Sequence, residues 1–307
     1  MRAPGDTAET VLACGEVRTC LLQTSASLPA AAAGELLRIR ADERVRISER
    51  PNLHAVSPDV LTGVDCRLPA ATGAKVRAVG TVAARAVLVE GRVLQTSAQF
   101  RSPGRGPDPL GRLPGRAVAD GVLADRRQPG ELDLGAIAER LLGELLRHPL
   151  LDQRPPFKSR RTRLRWAALR AADGAGPSIE RFTLAEDGLR TVELRLPEHT
   201  EPAACAGLCE DLALHDWLLT TLVRMVERSR LGSADGHDAV MALRPAVDHL
   251  LHLWMPRARV DTTLGPLWEV LERKPGFTRQ WQTLVQRIRD QLALQAIPLL
   301  REALTAR

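Results

Sequence analysis

Several groups of residues have the types and spacing to do chemistry. The densest is basic: Lys158, Arg160, Arg161, Arg163 and Arg165 run together, with Phe157 and Trp166 beside them. Cations interleaved with aromatic rings suit phosphate contact and base stacking. If 162–169 is a strand, alternation puts Arg161, Arg163 and Arg165 on one face and Thr162, Leu164 and Trp166 on the other. The expectation is a charged outer face over a buried one. That face either meets nucleic acid or another polyanion, or is neutralised by Glu180 or Glu193 on neighbouring strands.

The second group is sulfur and imidazole. Cys205 and Cys209 are four apart and His249 and His252 three apart, so each pair shares one helix face. Two helices could present a Cys2His2 set of the kind zinc accepts. His215 lies about 9 Å beyond Cys209 along one straight helix, too far to join the same ion. The competing reading is two packed cysteines and two surface histidines, because the short knuckle spacing of zinc modules is missing.

Two His-Asp dipeptides, His215-Asp216 and His237-Asp238, precede Asp248 and Asp261. Such dipeptides ligate the metal in helical phosphohydrolases, where the ion activates water. Asp235 or Asp238 is more simply a helix N-cap. Cys66, after Asp65 and downstream of His54, Ser57 and Asp59, is a nucleophile candidate. No Gly-x-Ser-x-Gly turn accompanies it, and a packed thiol in a Pro-bounded connector is the competing reading. The sequence holds no Gly-x4-Gly-Lys-Ser/Thr loop, dinucleotide fingerprint or His-Glu-x-x-His. No complete catalytic motif and no cofactor is therefore indicated.

The elements that must position these residues change in character along the chain. Segment 10–23 reads as an opening strand, 29–40 as a short helix and 44–48 as a half-buried strand. Prolines 51, 58 and 69 make 51–69 irregular. A hairpin follows: 75–89, a Glu90-Gly91 turn and 92–100, with a bend expected near Gly80. Segment 102–116 is a Pro/Gly-rich loop. A helix at about 131–147 carries Ile137, Leu141, Leu142, Leu145 and Leu146 on one face. Strands at 162–169, 178–184 and 189–196, joined by good turn chemistry, read as an antiparallel meander. Helices are expected at 203–230, 237–255, 263–273 and 277–305, with Pro245 and Pro298 as kinks or breaks. Short connections favour a bundle whose core holds Trp217, Trp254, Trp268 and Trp281. The expected fold class is thus α+β: a strand-rich N-terminal part, then an all-helical bundle. The expected divisions are 1–116, 117–198 (continuous with the first as an alternative) and 199–307.

The chain has 307 residues, and 44% of them are apolar, enough for a sizeable core. Tyr is absent, so Leu, Val and Ala must build most of that core. The formal charge is +6, and all but three of the 43 basic residues are Arg. Arg prefers bidentate contacts with phosphate and carboxylate, but a GC-rich genome gives the same excess together with the many Ala, Gly and Pro. Five widely spaced Cys make no disulfide framework and suit a reducing compartment. The first residues carry no apolar run and no stretch is long enough to cross a bilayer, so a soluble, cytoplasmic protein without membrane contact is expected.

Segments 15–23 (GEVRTCLLQ), 54–69 (HAVSPDVLTGVDCRLP), 243–261 (LRPAVDHLLHLWMPRARVD), 274–281 (KPGFTRQW) and 288–295 (IRDQLALQ) together resemble an uncharacterised family of actinobacterial proteins. The genes of that family lie in a cluster with a variant P-loop protein and a methyltransferase-like protein. The resemblance implies a cytoplasmic protein that works with clustered partners; it implies no catalytic residue. The resulting expectation is a non-catalytic subunit or adaptor acting through protein–protein contacts, possible partners being products of neighbouring genes. The alternatives are polyanion binding through 158–166 and a helical metal-dependent phosphohydrolase.

Overall fold

The computed structural model describes residues 11–69, 75–101, 132–229, 236–273 and 275–305. It is a mixed α+β fold. Nine strands form one sheet: β1 (Val11–Leu21), β2 (Arg46–Ser48), β3 (His54–Val56), β4 (Val60–Pro69), β5 (Lys75–Val89), β6 (Val93–Arg101), β7 (Thr162–Arg170), β8 (Ser178–Leu184) and β9 (Leu189–Leu196). The order is β2-β3-β5-β6-β1-β7-β9-β8, with β4 also on β5. Among the described residues six α-helices accompany it: α1 (Ala30–Leu36), α2 (Leu134–Leu145), α3 (Pro202–Arg228), α4 (Gly236–His249), α5 (Gly265–Arg273) and α6 (Phe277–Thr305).

β1 is central because both its faces are apolar. Ala13, Val17 and Leu21 enter one core, while Cys14, Cys20 and Leu22 enter the other. α3 lies on the first face against β1, β6 and β7, and α1 and α2 cover the second. Gly15 pairs with Trp166 across the strands, and a Cβ there would sit 2.6 Å from the indole. Only glycine leaves room for that ring. The β5–β6 turn runs through Glu90 and Gly91 at φ 50° and 57°. A Cβ on Gly91 would lie 2.1 Å from the Leu28 carbonyl oxygen, so the αL position is reserved for glycine.

Four features differ from the expectations. The irregular 51–69 stretch contains β3 and β4, laid end to end along one side of β5. Ser57 spans their junction: its N–H donates to the Ala86 carbonyl (2.9 Å) and its Oγ accepts from Ala86 N–H (2.9 Å). The side chain thus replaces a missing ladder carbonyl, and Pro58 follows where no donor is needed. β5 runs unbroken through Gly80.

The third difference is the meander. β9 lies between β7 and β8 and is parallel to β7. Burial explains the order: β9 is buried along most of its length, whereas β8 has no buried residue and takes the edge.

The fourth concerns the C-terminal helices, which do not pack only on one another: α3 lies on β1, β6 and β7, and α5 on β8. α3 holds a single core with strands on one side and α4 and α6 on the other. That sandwiching buries Glu210, His215 and Asp216 together with its apolar residues. α4 and α6 continue through Pro245 and Pro298. Trp217, Trp268 and Trp281 are core, and Trp254 stacks on Trp281 at 4.4 Å. The expected 102–116 loop lies outside the described residues. No helix among the described residues is long and apolar enough to cross a membrane.

Candidate functional site

Arg163 and Arg165 share one side of β7, with Arg161 just before it, but all three are paired with acids and Arg165 is buried. Arg165 is buried against Glu16 on β1, its direct cross-strand partner. Arg18 meets the same carboxylate at 2.7 Å. Arg161 meets Glu139 of α2 at 2.6 Å, and Arg163 pairs with Asp187. The acids foreseen for them are used elsewhere: Glu180 by Arg195 and Glu193 by Arg181. Trp166 is inside the core and Phe157 stacks on His249, so neither is a free platform for a base. Lys158 and Arg160 stay exposed outside these pairs.

The sulfur–imidazole set does not gather. Cys205 and Cys209 are buried neighbours on α3, and burial followed by the Cys205 hydrogen bond pushes the Cys209 thiol up. His249 lies against Phe157 and His252 is exposed. Among the described residues, no three His, Cys, Asp or Glu side chains are placed to hold a metal ion. Asp216 pairs with Arg190 at 2.7 Å, Asp248 with Arg244 at 3.3 Å, and Asp261 caps a short helix by accepting from Thr263. The side chains of His237, Asp238 and Cys66 lie outside the described residues.

The structure instead brings together residues that were not foreseen as a group. A cavity of about 360 Å³ opens between the β2–β3–β5–β6 part of the sheet, α3 and the 253–259 connector. At its floor Arg85 clasps Glu210 in a bidentate pair: Nε to Oε1 at 2.8 Å and Nη2 to Oε2 at 2.6 Å. Ser97 Oγ donates to Oε1, and Gln95 Nε2 donates to the Glu210 carbonyl. Glu210 raises the Arg85 pKa, so this pair is locked as ions.

The remaining cations make no such clasp, and Asp211 and Glu90 act on Arg259 without an ion pair. Arg259 uses Nη2 on neutral acceptors: the Asn52 carbonyl at 2.6 Å, Asn52 Oδ1 at 3.0 Å and the Arg50 carbonyl at 3.3 Å. Arg46 is exposed at the rim. Neither makes an ion pair among the described residues. His54, on β3, feels them: burial first, then Arg259, Arg85 and Arg46, push its pKa down to about 4. It is neutral at physiological pH.

Two more polar groups line the cavity from α3. Burial raises the Asp211 pKa against the opposing pull of His215, the Arg257 N–H and Arg259. His215 Nδ1 faces the Asp211 carbonyl at 2.7 Å, so Nδ1 carries a proton and donates it. The His215 Nε2 is buried and has no hydrogen-bond partner among the described residues, with the Trp254 and Trp268 rings edge-on at 4.9 and 5.2 Å. A second, more open depression of about 450 Å³ lies along α1 and the 38–47 loop. Asp42, Glu43 and Arg44 there are exposed, so that depression builds no comparable environment.

Comparison of the chain with protein-family models, with curated proteins and with solved structures finds no match in any of the three.

Proposed function

We propose that the chain is a non-catalytic, ligand-binding component of a multi-protein system, and that its cavity receives a small organic anion. The ligand class is a carboxylate or phosphate ester with a short apolar body. The observation that carries this reading is that Arg46 and Arg259, neither in an ion pair among the described residues, line one cavity together with His54. A ligand anion would supply the missing negative charge in a half-enclosed site, where such contacts are stronger than in water. The walls fit the rest of the molecule: Ile47, Val56, Val89, Leu214, Leu253 and Met255 are apolar. A volume of about 360 Å³ is at the small end for ligand sites, suited to a metabolite-sized molecule.

The test is a thermal-shift and calorimetric series with inorganic phosphate, simple phosphate monoesters and linear carboxylates from butyrate to octanoate. At least one is expected to bind, raising the unfolding free energy by about 2.7 kcal/mol at a hundredfold excess over Kd. Arg46→Ala and Arg259→Met each weaken that binding about tenfold or more. Binding that ignores both substitutions, or none across the series, contradicts the reading. The partner side of the proposal is read by coexpression: the chain is expected to co-purify with products of its neighbouring genes and to fail the expectation if it elutes alone.

A further inference from the structure

A separate arginine cluster lies at the other end of α3. Asp216, Thr220, Arg224 and Arg228 are spaced by four and share one helix face. The first two are occupied: Arg190 reaches Asp216 at 2.7 Å and donates to Thr220 Oγ1 at 2.8 Å. The next two are cations with no ion-pair partner among the described residues. Arg224 lies about 14 Å further along the helix axis than His215, well away from the cavity. Its Nη1 is shielded from solvent and has no acceptor. Its pKa is lowered, by burial first and then by Arg160, Arg190 and Arg228, with Glu227 opposing. Arg160 is brought here by Trp217 of α3, whose Nε1 donates to the Arg160 carbonyl at 3.0 Å. The Arg160 side chain and nearby Lys158 are exposed.

We propose that Arg160, Arg224 and Arg228, flanked by Lys158, form a contact patch for the phosphate backbone of a nucleic acid. Guanidiniums without a protein acid match phosphate oxygens bidentately. No large apolar side chain in 158–161 or 222–229 is exposed. A protein interface would want an apolar centre here, and a membrane-surface site would want apolar residues to insert. Backbone phosphate contact needs neither. With Trp166 in the core and half-buried Phe157 stacked on His249, bases have no free platform, so binding is indifferent to sequence.

Fluorescence anisotropy with a labelled duplex DNA tests this on the full chain. Four phosphate contacts give a slope of log K against log salt of about −3.6, or about a hundredfold loss between 50 and 200 mM salt. The Arg160→Ala/Arg224→Ala/Arg228→Ala variant should bring that slope to about −1, and exposed Arg228→Ala alone should lessen it by about 0.9. Arg161→Ala/Arg163→Ala, which removes only paired arginines, should leave it unchanged. An unaltered thermal melt of the Arg228→Ala variant separates lost contact from lost fold. The proposal is overturned if duplex does not bind at about 50 mM salt, if the triple variant keeps the slope, or if the paired-arginine variant loses as much. Binding to phosphatidylserine vesicles in place of DNA overturns it as well.

Discussion

Arg85 on β5 and Glu210 on α3, 125 residues apart in sequence, close two hydrogen bonds on each other beneath the cavity. This pair ties the sheet to the helix that covers it and sets the charge of the cavity floor. Arg85 is answered by Glu210, whereas Arg46 and Arg259 make no ion pair among the described residues.

Breaking the clasp from one side leaves a buried ion without its partner. Arg85→Met and Glu210→Met are each expected to cost about 3–5 kcal/mol in urea unfolding. The double variant should cost clearly less than the sum, because no charge is left stranded. Simple additivity would mean that the two side chains do not act as a unit.

His54 makes stability depend on pH. Its folded pKa of about 4 lies below the ordinary 6.5, so the unfolded chain binds the proton more readily. The contribution is complete above about pH 6.5 and is lost as pH falls through about 4, with an upper size on the order of 3 kcal/mol. His54→Gln should flatten that part of the pH profile. A profile equally steep in the variant would place the titration elsewhere.

The buried thiols should be inert. Burial pushes Cys20 up to about 12 and Cys209 upward too, so almost no thiolate forms at neutral pH. In a Cys66→Ser background, a colorimetric disulfide reagent is expected to react with Cys14, Cys20, Cys205 and Cys209 only as fast as the protein unfolds. Prompt reaction in native buffer would show a thiol open to solvent.

Gly15→Ala sets a methyl group against the Trp166 indole and should destabilise by about 1–3 kcal/mol. Trp166→Leu in the same chain should recover part of the loss by giving the methyl group room. If Gly15→Ala unfolds at the same denaturant concentration as wild type, the two are not packed as described.

Local pattern made the elements legible and left their neighbours hidden. The β5–β6 hairpin was readable from alternating Val residues around Glu90-Gly91, and the long α3 and α6 from helical periodicity. Alternation also grouped Arg163 and Arg165 correctly. It could not say that β1 brings Glu16 opposite Arg165, or that α2 brings Glu139 to Arg161. Likewise, strand propensity finds β7, β8 and β9 but not their order, which depends on which strand buries both faces. The cavity escaped because its residues come from distant segments, each polar for a different reason. One signal was present: Arg85 interrupts the apolar AARAV run of β5, and Glu210 sits inside the apolar face of α3. Opposite charges lodged in two apolar runs mark a buried pair.

The central claim is that Arg46, Arg259 and His54 surround the seat of an anion, and His54 reports it directly. Long-range ¹H–¹⁵N NMR would follow its imidazole through pH 3–8 with and without the tightest-binding carboxylate or phosphate of the series. With the anion seated, the His54 pKa should climb from about 4 by at least about one unit, and Arg46→Ala/Arg259→Met should abolish the climb at the same ligand concentration. An imidazole that titrates at the same pH with the cavity loaded and empty would contradict it.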